Sequence, residues 1–592
     1  MSSARLLAAL IAFAAAPLAI RAPSDKPTSA PGDELVGLWK AKRWFGPDAR
    51  GPLIIQRSGS TFTADMIGQT VPVRVDRTQL SFELSNGLGK FHGTLHGDGA
   101  IPGHWTPGQP RAMGGHSTPV TLQPDGHNRW RGQVVPFEDL FTFYLLVEKR
   151  PDGTLSALLR NPERDFGALL GAETLTRAGN VVTLIGRRRG QGEPRAIATG
   201  TYDSANAMIT LPFPGRGGSY DFRRENEYSE FYPRGRNPAK YAYRAPLARD
   251  DAWPTGTLDD AGIDRAAMEK FIQMIIDMPM NAVDTPQIHS VLIARHGKLV
   301  LEEYFHGEHR DKLHETRSAS KSLTATLIGA AMQAGAPVKA STPVYEVMNG
   351  GTFAAGLEPR KRAMTLEHLL TMSSGYFCDD SNDDAPGNED KMQQQREEPD
   401  WLRYTLKVPM AIQPGEKAIY CSSNPNLALG MLSRVTGESP LATFDRLLGT
   451  PMKIRRYGWG GDPAGHPYGG GGVQLLPRDF MKLGQLMLNG GTWAGKRILS
   501  REFVTRASSP LYRLGTRGYG YLWWVMDYAY KGGTIRSFQA LGAGGQIVSV
   551  FPDLDLVIAG NGANYSSRGW RSFQYDLIPK YILPAVREES RR

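Results

Sequence analysis

The stretch from Thr316 to Met332, TRSASKSLTATLIGAAM, constrains this chain more than any other. It reads as a turn running into a helix. Leu323, Leu327, Ile328, Ala331 and Met332 recur at helical spacing and give that helix an apolar face. Gly335 and Pro337 close it as a cap and a stop. Ser318 and Lys321 stand at its start, three residues apart, so both side chains can project from one face. A serine hydroxyl is a poor nucleophile until a neighbour takes its proton. An amine at i+3 can do so if desolvation and nearby positive charge keep it neutral. The helix N-terminus adds a positive field that also favours a developing oxyanion. On spacing alone, a helix-capping serine followed by a solvated lysine explains the same residues. The rest of the chain decides between the two.

With 592 residues the chain is too long for one ordinary core, and two or more domains are expected. A hydrophobic content of 41% and a charged content of 22% are those of a soluble globular protein. The net charge of +10 is scattered, with Arg187-Arg188-Arg189 and Arg360-Lys361-Arg362 as its densest runs. No basic motif is interleaved with aromatics, so these charges read as solvated surface and nucleic acid is not an expected partner. His289, His296, His306, His309 and His314 are spread without an H-E-x-x-H or C-x-x-C frame, so neither a metal site nor a cofactor is expected.

Residues 1–22 read as a secretory signal. Arg5 gives the positive start, and the apolar run from Leu6 to Ile20 is interrupted by Pro17 and too short to span a bilayer comfortably. Ala14, Ala16, Ala19 and Ala22 offer cleavage positions, and an N-terminal membrane anchor is the alternative reading. Residues 23–33, rich in Pro, Ser and Asp, read as a disordered lead-in. No later segment is long and apolar enough to be transmembrane. The expectation is a periplasmic or secreted protein with no stable membrane span after signal removal.

From 34 to 223 the pattern is β. Short alternating runs such as Val71-Pro72-Val73-Arg74-Val75 and Leu80-Ser81-Phe82-Glu83-Leu84 are separated by turns such as Asp98-Gly99 and Asp152-Gly153. This predicts an up-and-down barrel or sandwich, lipocalin-like, with its interior packed. A weak similarity between 35–105 and 141–222 suggests two repeats: two halves of one barrel, or two small barrels. With no catalytic motif in it, this region is expected to fold independently and to be dispensable for chemistry. Residues 224–250 read as a linker or a strap over the next domain. From 251 to 592 the chain opens with an amphipathic helix over 263–278, on which Met268, Phe271, Ile272 and Ile275 share a face. A hairpin around His296-Gly297-Lys298 follows, then mixed helix and loop, then strands near the C-terminus. A sheet built from both ends of this segment with a helical insertion between them is an α+β arrangement.

Five segments in this second half match, in order, one known group of enzymes. They are His296-Gly297-Lys298-Leu299-Val300; Ser318-Ala319-Ser320-Lys321; Thr365 to Gly375, TLEHLLTMSSG; Pro414-Gly415-Glu416 running into Tyr420-Cys421-Ser422; and Gly471-Gly472-Val473 with Pro477-Arg478-Asp479. Residues 250–585 thus resemble the β-lactamase-related serine hydrolases: class C β-lactamases, penicillin-binding proteins, related carboxylesterases and 6-aminohexanoate-dimer hydrolases. The resemblance implies a β-lactamase/transpeptidase-like catalytic domain, an antiparallel sheet flanked by helices, behind the all-β barrel-like domain.

It also implies roles. Ser318 would be the nucleophile, with Lys321 and Tyr420 handling its proton; Tyr420 stands at the Tyr of the family's Tyr-x-Asn motif, and a buried core tyrosine is its alternative. The third position of that motif is Ser422 rather than Asn, which puts its contact with a substrate amide in question; Asn424 lies two further on. The family's Lys-Thr-Gly or His-x-Gly strand corresponds to Ala540-Leu541-Gly542, which carries no cation, though Arg536 could supply one. The oxyanion hole would then pair the N–H groups of Ser318 and Ala543, with Gly544 as the fallback and Gly542 and Gly544 allowing close approach of substrate; a plain glycine-rich bend is the alternative. The two cysteines, Cys378 and Cys421, flank the same expected cleft and are candidates for one disulfide in an exported protein, or for two buried thiols. The function read from all this is an exported serine hydrolase acting through an acyl-enzyme on an ester, amide or peptide, with esters or uncharged amides favoured. A D-amino-acid peptidase, a penicillin-binding-like carboxypeptidase or a β-lactamase is the enzymatic alternative, and a binding protein on the same fold is the non-enzymatic one.

Overall fold

Strand Gly37–Gly46 does not pair with the strands that follow it. It pairs with Asp139–Lys149 on one side and Gly218–Arg224 on the other, and so closes an eight-stranded antiparallel barrel whose other members all lie between 139 and 224. The structure, a computed structural model, describes residues 32–108, 115–163, 166–565 and 568–587. The expected signal segment 1–22 and most of the lead-in 23–33 lie outside the described residues.

The barrel interior is filled by Trp39, Phe143, Leu184, Phe213, Tyr220 and Phe222. Inserted between its first and second strands is a nine-stranded meander over 51–134, with Gly51–Ser58 paired to Arg129–Val134. The meander curls until its end strands, Gln69–Pro72 and Arg74–Asp76, are neighbours in sequence, and Phe82, Phe91 and Trp105 pack within it. The expected repeat of 35–105 and 141–222 is therefore replaced by an insertion. Alternation fixes which side chains point inward but not which strand is the neighbour.

The region from 225 to 250 is the strap. Tyr241 donates to Glu303 at 2.6 Å and Tyr243 to the Val300 carbonyl at 2.7 Å. Arg234 pairs with Glu303 as well. Beneath it lies an eight-stranded antiparallel sheet, in the order Lys298–Tyr304, Ile288–Arg295, Leu556–Gly562, Gln546–Phe551, Gly533–Gly542, Trp524–Tyr530, Arg517–Tyr519 and Tyr512–Leu514. Both ends of the C-terminal segment thus build one sheet. Helix Arg265–Ile276, capped by the Asp264 side chain on Ala267 N–H at 2.9 Å, buries Met268, Phe271, Ile272, Ile275 and Ile276 against one face. Helices Ser320–Gln333, Ser423–Thr436 and Pro477–Leu488 belong to the core on the other.

Helix Ser320–Gln333 is buried on every side from Ser320 to Ala331, not on one face alone. Its small polar residues make this possible because each finds a partner. Ser322 donates to the Leu522 carbonyl at 2.6 Å and Thr324 to the Gly469 carbonyl at 2.8 Å.

The meander does not stand apart from the C-terminal half. Its strand His116–Pro124 pairs with Tyr457–Gly460, which pairs with Val473–Leu475, which pairs with His314–Glu315. His104 Nε2 lies 2.7 Å from Tyr457 Oη and 3.0 Å from Asp445 Oδ2. The region expected to be a separate unit is hydrogen-bonded to strands that lead directly to residue 318.

Candidate active site

Ser318 sits in a single 3₁₀ turn, Arg317–Ala319, that feeds helix Ser320–Gln333. Thr316 anchors the turn to the neighbouring strand: its N–H and its hydroxyl both donate to the Val473 carbonyl, at 3.0 and 2.8 Å. Arg317 has a φ of 51°. A non-glycine residue in that region is strained and needs surrounding structure to hold it. Arg317 lies 3.0 Å from Glu315 and over the Tyr565 ring at 4.8 Å, so it is clamped on both sides.

Lys321 is buried, and its Nζ lies 2.9 Å from Ser318 Oγ and 2.6 Å from the Gly470 carbonyl. It also lies 5.0 Å from the centre of the Tyr420 ring. Tyr420 is stacked nearly parallel on Trp524, with ring centres 5.7 Å apart and 22° between planes. Ser318, Lys321 and Tyr420 are thus brought together. Burial pulls the Lys321 pKa down, but Tyr420, Glu389 and Asp380 outweigh it, and it stands above the ordinary lysine value. The acidic surroundings therefore favour the charged form of Lys321 over the neutral amine that taking a proton would require.

Those acids form a network behind the site. Asp380 accepts from the Ser422 N–H at 2.8 Å, the Ser422 hydroxyl at 2.6 Å and the Glu389 N–H at 3.1 Å. Tyr468 donates to Glu389 at 2.6 Å. Burial, with Glu389 beside it, pushes Asp380 up to about 6 despite the pull of Lys321 and Ser422 in the other direction. Ser422 was expected to meet substrate. It is fully buried with its hydroxyl spent on Asp380, so it is a structural member of the wall. Asn424, two residues on, is also buried. Cys378 and Cys421 are joined as a disulfide with Cα atoms 5.6 Å apart, fastening the loop that carries Asp380 to the segment that carries Tyr420.

The strand Gly533–Gly542 ends against the 318 turn. A Cβ placed on Gly542 would lie 2.3 Å from the Thr316 carbonyl oxygen and 3.1 Å from Ala319 N. Only glycine admits that approach. The next residue, Ala543, is exposed at the start of the 543–545 turn. Gly544 points elsewhere, since a Cβ there would strike the Tyr565 ring at 2.5 Å. Ala540, the first residue of the stretch expected to correspond to the family's Lys-Thr-Gly or His-x-Gly strand, is fully buried. Arg536, the expected substitute, is paired with Asp527 at 2.9 and 3.2 Å on the surface and does not serve as one.

Sequence reasoning missed Gly470, Asp380, Glu389, Tyr468 and Trp524. Gly470 contributes a carbonyl, which no side chain announces, although the glycine run from 469 to 472 marks a backbone that others approach closely. The structure also gathers Asp400, Asp462 and His466, whose ligand-type atoms lie within 4.8 Å of one another. The carboxylates there accept from the backbone N–H groups of Trp401, Leu402, Arg403 and His466, which accounts for them as a helix cap and a loop clasp.

Residues 287–561 match the family model described as Beta-lactamase. The 6-aminohexanoate-dimer hydrolase of Paenarthrobacter ureafaciens is 22% identical over 313 residues, covering 48% of this chain and 76% of that protein. Among solved structures, a D-stereospecific amidohydrolase from Streptomyces sp. aligns with a TM-score of 0.40 at 16% identity, over 53% of this chain and 99% of that one. A penicillin-binding protein homologue from Caulobacter crescentus aligns with a TM-score of 0.39 at 15% identity, over 52% and 93%. Residues 287–561, which carry the motifs gathered around Ser318, are thus the part of this chain that is similar to the β-lactamase-related hydrolases.

Proposed function

We propose that this chain is an exported serine hydrolase that cleaves esters or amides through an acyl-enzyme on Ser318. The observation that carries the reading is the 2.9 Å approach of Lys321 Nζ to Ser318 Oγ with the Tyr420 ring beside it. Ser318 Oγ bonds to the carbonyl carbon while its proton passes to the Lys321–Tyr420 pair. Because acidic neighbours favour the charged form of Lys321, the Ser318 proton is passed on through the Lys321–Tyr420 pair rather than kept on a neutral amine. The N–H groups of Ser318 and Ala543 hold the oxyanion. Collapse breaks the bond to the leaving group, which takes a proton from Tyr420. Water then repeats the sequence and frees Ser318.

With Ala540 in place of a cation, the strand beside Ser318 offers no charge to a carboxylate next to the scissile bond. This supports esters and uncharged amides over β-lactams as substrates. The test is labelling by a fluorophosphonate followed by peptide mass spectrometry. The adduct is expected on Ser318 and absent from Ser318→Ala; an adduct on Ser373 or Ser422 would overturn the assignment.

A further inference from the structure

Lys321 reaches a backbone carbonyl that lies inside a run of glycines, Gly469 to Gly472. Glycine has the freest backbone of any residue, so the run needs outside contacts to keep that carbonyl aimed at Nζ. Gly469 is pinned directly: its N–H donates to Asn426 Oδ1 at 3.1 Å, and its carbonyl accepts from the Thr324 hydroxyl at 2.8 Å. Gly470 is held by contact. Tyr468 folds back beneath it, and a Cβ on Gly470 would lie 2.4 Å from the phenol oxygen and 2.6 Å from Cζ. The ring is buried, and Trp401 meets it edge-on with centres 5.3 Å apart.

The same phenol hydroxyl donates to Glu389 Oε1 at 2.6 Å, and Gln393 Nε2 donates to that oxygen at 3.2 Å. The Glu389 backbone is fixed, because its N–H donates to Asp380 Oδ1 at 3.1 Å. Its side chain is what can turn. Burial opposes the charge on Lys321, and after Tyr420 the Glu389 carboxylate is the group that most favours it. In a dry interior the attraction between such a pair rises steeply as they approach. Direct contact would therefore draw Nζ away from Ser318 Oγ.

We infer that Tyr468 is a positioning residue of this site: its ring fixes the Gly470 carbonyl, and its hydroxyl holds the Glu389 carboxylate off Lys321, so that Nζ stays on Ser318 Oγ. The inference rests on the hydrolase reading above, because it takes Lys321 as one of the pair that passes on the Ser318 proton. Tyr468 acts through Gly470 and Glu389, not on the reacting atoms.

The experiment uses the full-length protein as Tyr468→Phe, which keeps the ring and removes only the hydroxyl, beside Glu389→Gln and the double variant. With p-nitrophenyl butyrate, Tyr468→Phe should lower kcat by about ten- to a hundredfold, the effect of displacing a reacting group by up to about 1 Å, and leave KM little changed. Adding Glu389→Gln removes the charge that draws Lys321 away, so the double variant should recover most of the lost kcat. A tyrosine needed only for packing would give no such rescue. If Tyr468→Phe leaves kcat unchanged, or if the double variant is as slow as Tyr468→Phe, the inference is wrong. Should the single variant fail to fold, the double variant, which has no carboxylate left without its partner, carries the test: a kcat near that of Glu389→Gln supports the role, and loss of activity overturns it. Crystal structures of wild type and of a folded Tyr468→Phe read the displacement without turnover. Lys321 Nζ should leave Ser318 Oγ for the Glu389 carboxylate, and an unmoved Nζ overturns the inference. Failure of the hydrolase reading looks different: wild type turns over no ester and Ser318 takes no fluorophosphonate, while the position of Nζ in the two crystal structures still decides the role of Tyr468.

Discussion

Gly542 is where a single methyl group should be most damaging. A Cβ there would lie 2.3 Å from the Thr316 carbonyl oxygen, 3.0 Å from Arg317 Cβ and 3.1 Å from Ala319 N. Two of the three are backbone atoms, so no side chain can swing aside. Reaching an ordinary contact of roughly 3.5 Å requires the strand end and the 318 turn to part by about 1 Å. That movement would carry Ala543 N–H away from Ser318 N–H and open the proposed oxyanion hole. A 1 Å misplacement, or loss of one such donor, lowers the rate by about a hundredfold or more. Gly542→Ala should therefore cut kcat for p-nitrophenyl butyrate by at least about a hundredfold, with KM little changed and the circular dichroism spectrum preserved. Gly544→Ala is the contrast, since its Cβ would press on Tyr565 rather than the turn. If Gly542→Ala keeps kcat within twofold of wild type, the end of strand Gly533–Gly542 is not part of the hole.

Other outcomes follow from the same geometry. Asp380 has a native pKa of about 6 against an ordinary value of 3.8, so its contribution to stability is complete below the ordinary value and lost as pH rises through about 6. Asp380→Asn cannot ionise, and the wild-type Tm minus the variant Tm should fall between about pH 4 and pH 7; a flat difference would sink the assignment. The Cys378–Cys421 bridge closes a loop with a sequence separation of 43, so the double Ala variant should lose about 4 kcal/mol in a chain-entropy estimate, whereas two free thiols found by non-reducing peptide mapping would refute the bridge. A chain beginning at Tyr241 loses strand His116–Pro124 and leaves the edge of Tyr457–Gly460 bare; it should aggregate or lose most esterase activity, and full activity would show the meander to be dispensable. For the wild type, kcat/KM on p-nitrophenyl butyrate should exceed that on a chromogenic cephalosporin by one to two powers of ten, about the effect of one charged hydrogen bond. An equal or higher cephalosporin value would mean that a cation elsewhere meets the carboxylate beside the scissile bond.

The parts of the site that were legible in the sequence are those where chemistry demands a side chain at fixed spacing. Ser318 and Lys321 are one helical turn apart, and the structure sets them 2.9 Å apart. The α+β sheet built from both ends of the catalytic segment was legible because the hairpin at 288–304 and the strands after 533 are strongly apolar. Less legible were features set by tertiary neighbours. Ser422 follows Tyr420 at motif spacing, yet Asp380, 42 residues away, turns it from the cleft. The charged form of Lys321 is favoured by Tyr420, Glu389 and Asp380, of which the last two lie on a short helix and a loop with no motif of their own. The assignment of Gly37–Gly46 to the later barrel depends on pairing with residues a hundred positions downstream, and period-two alternation is silent about distance along the chain.

The ladder from His116–Pro124 through Tyr457–Gly460 and Val473–Leu475 to His314–Glu315 has a dynamic consequence. Its last two strands bracket the site: one runs into the 318 turn, and the other begins just after Gly470, whose carbonyl holds Lys321. Amide groups in one hydrogen-bonded ladder tend to open together. The amides of Ser117, Trp459 and Gln474 should therefore exchange with solvent deuterium as one cooperative unit. Loosening the meander, for example at His104, should raise their exchange rates in step and slacken the seat of Lys321 without touching it.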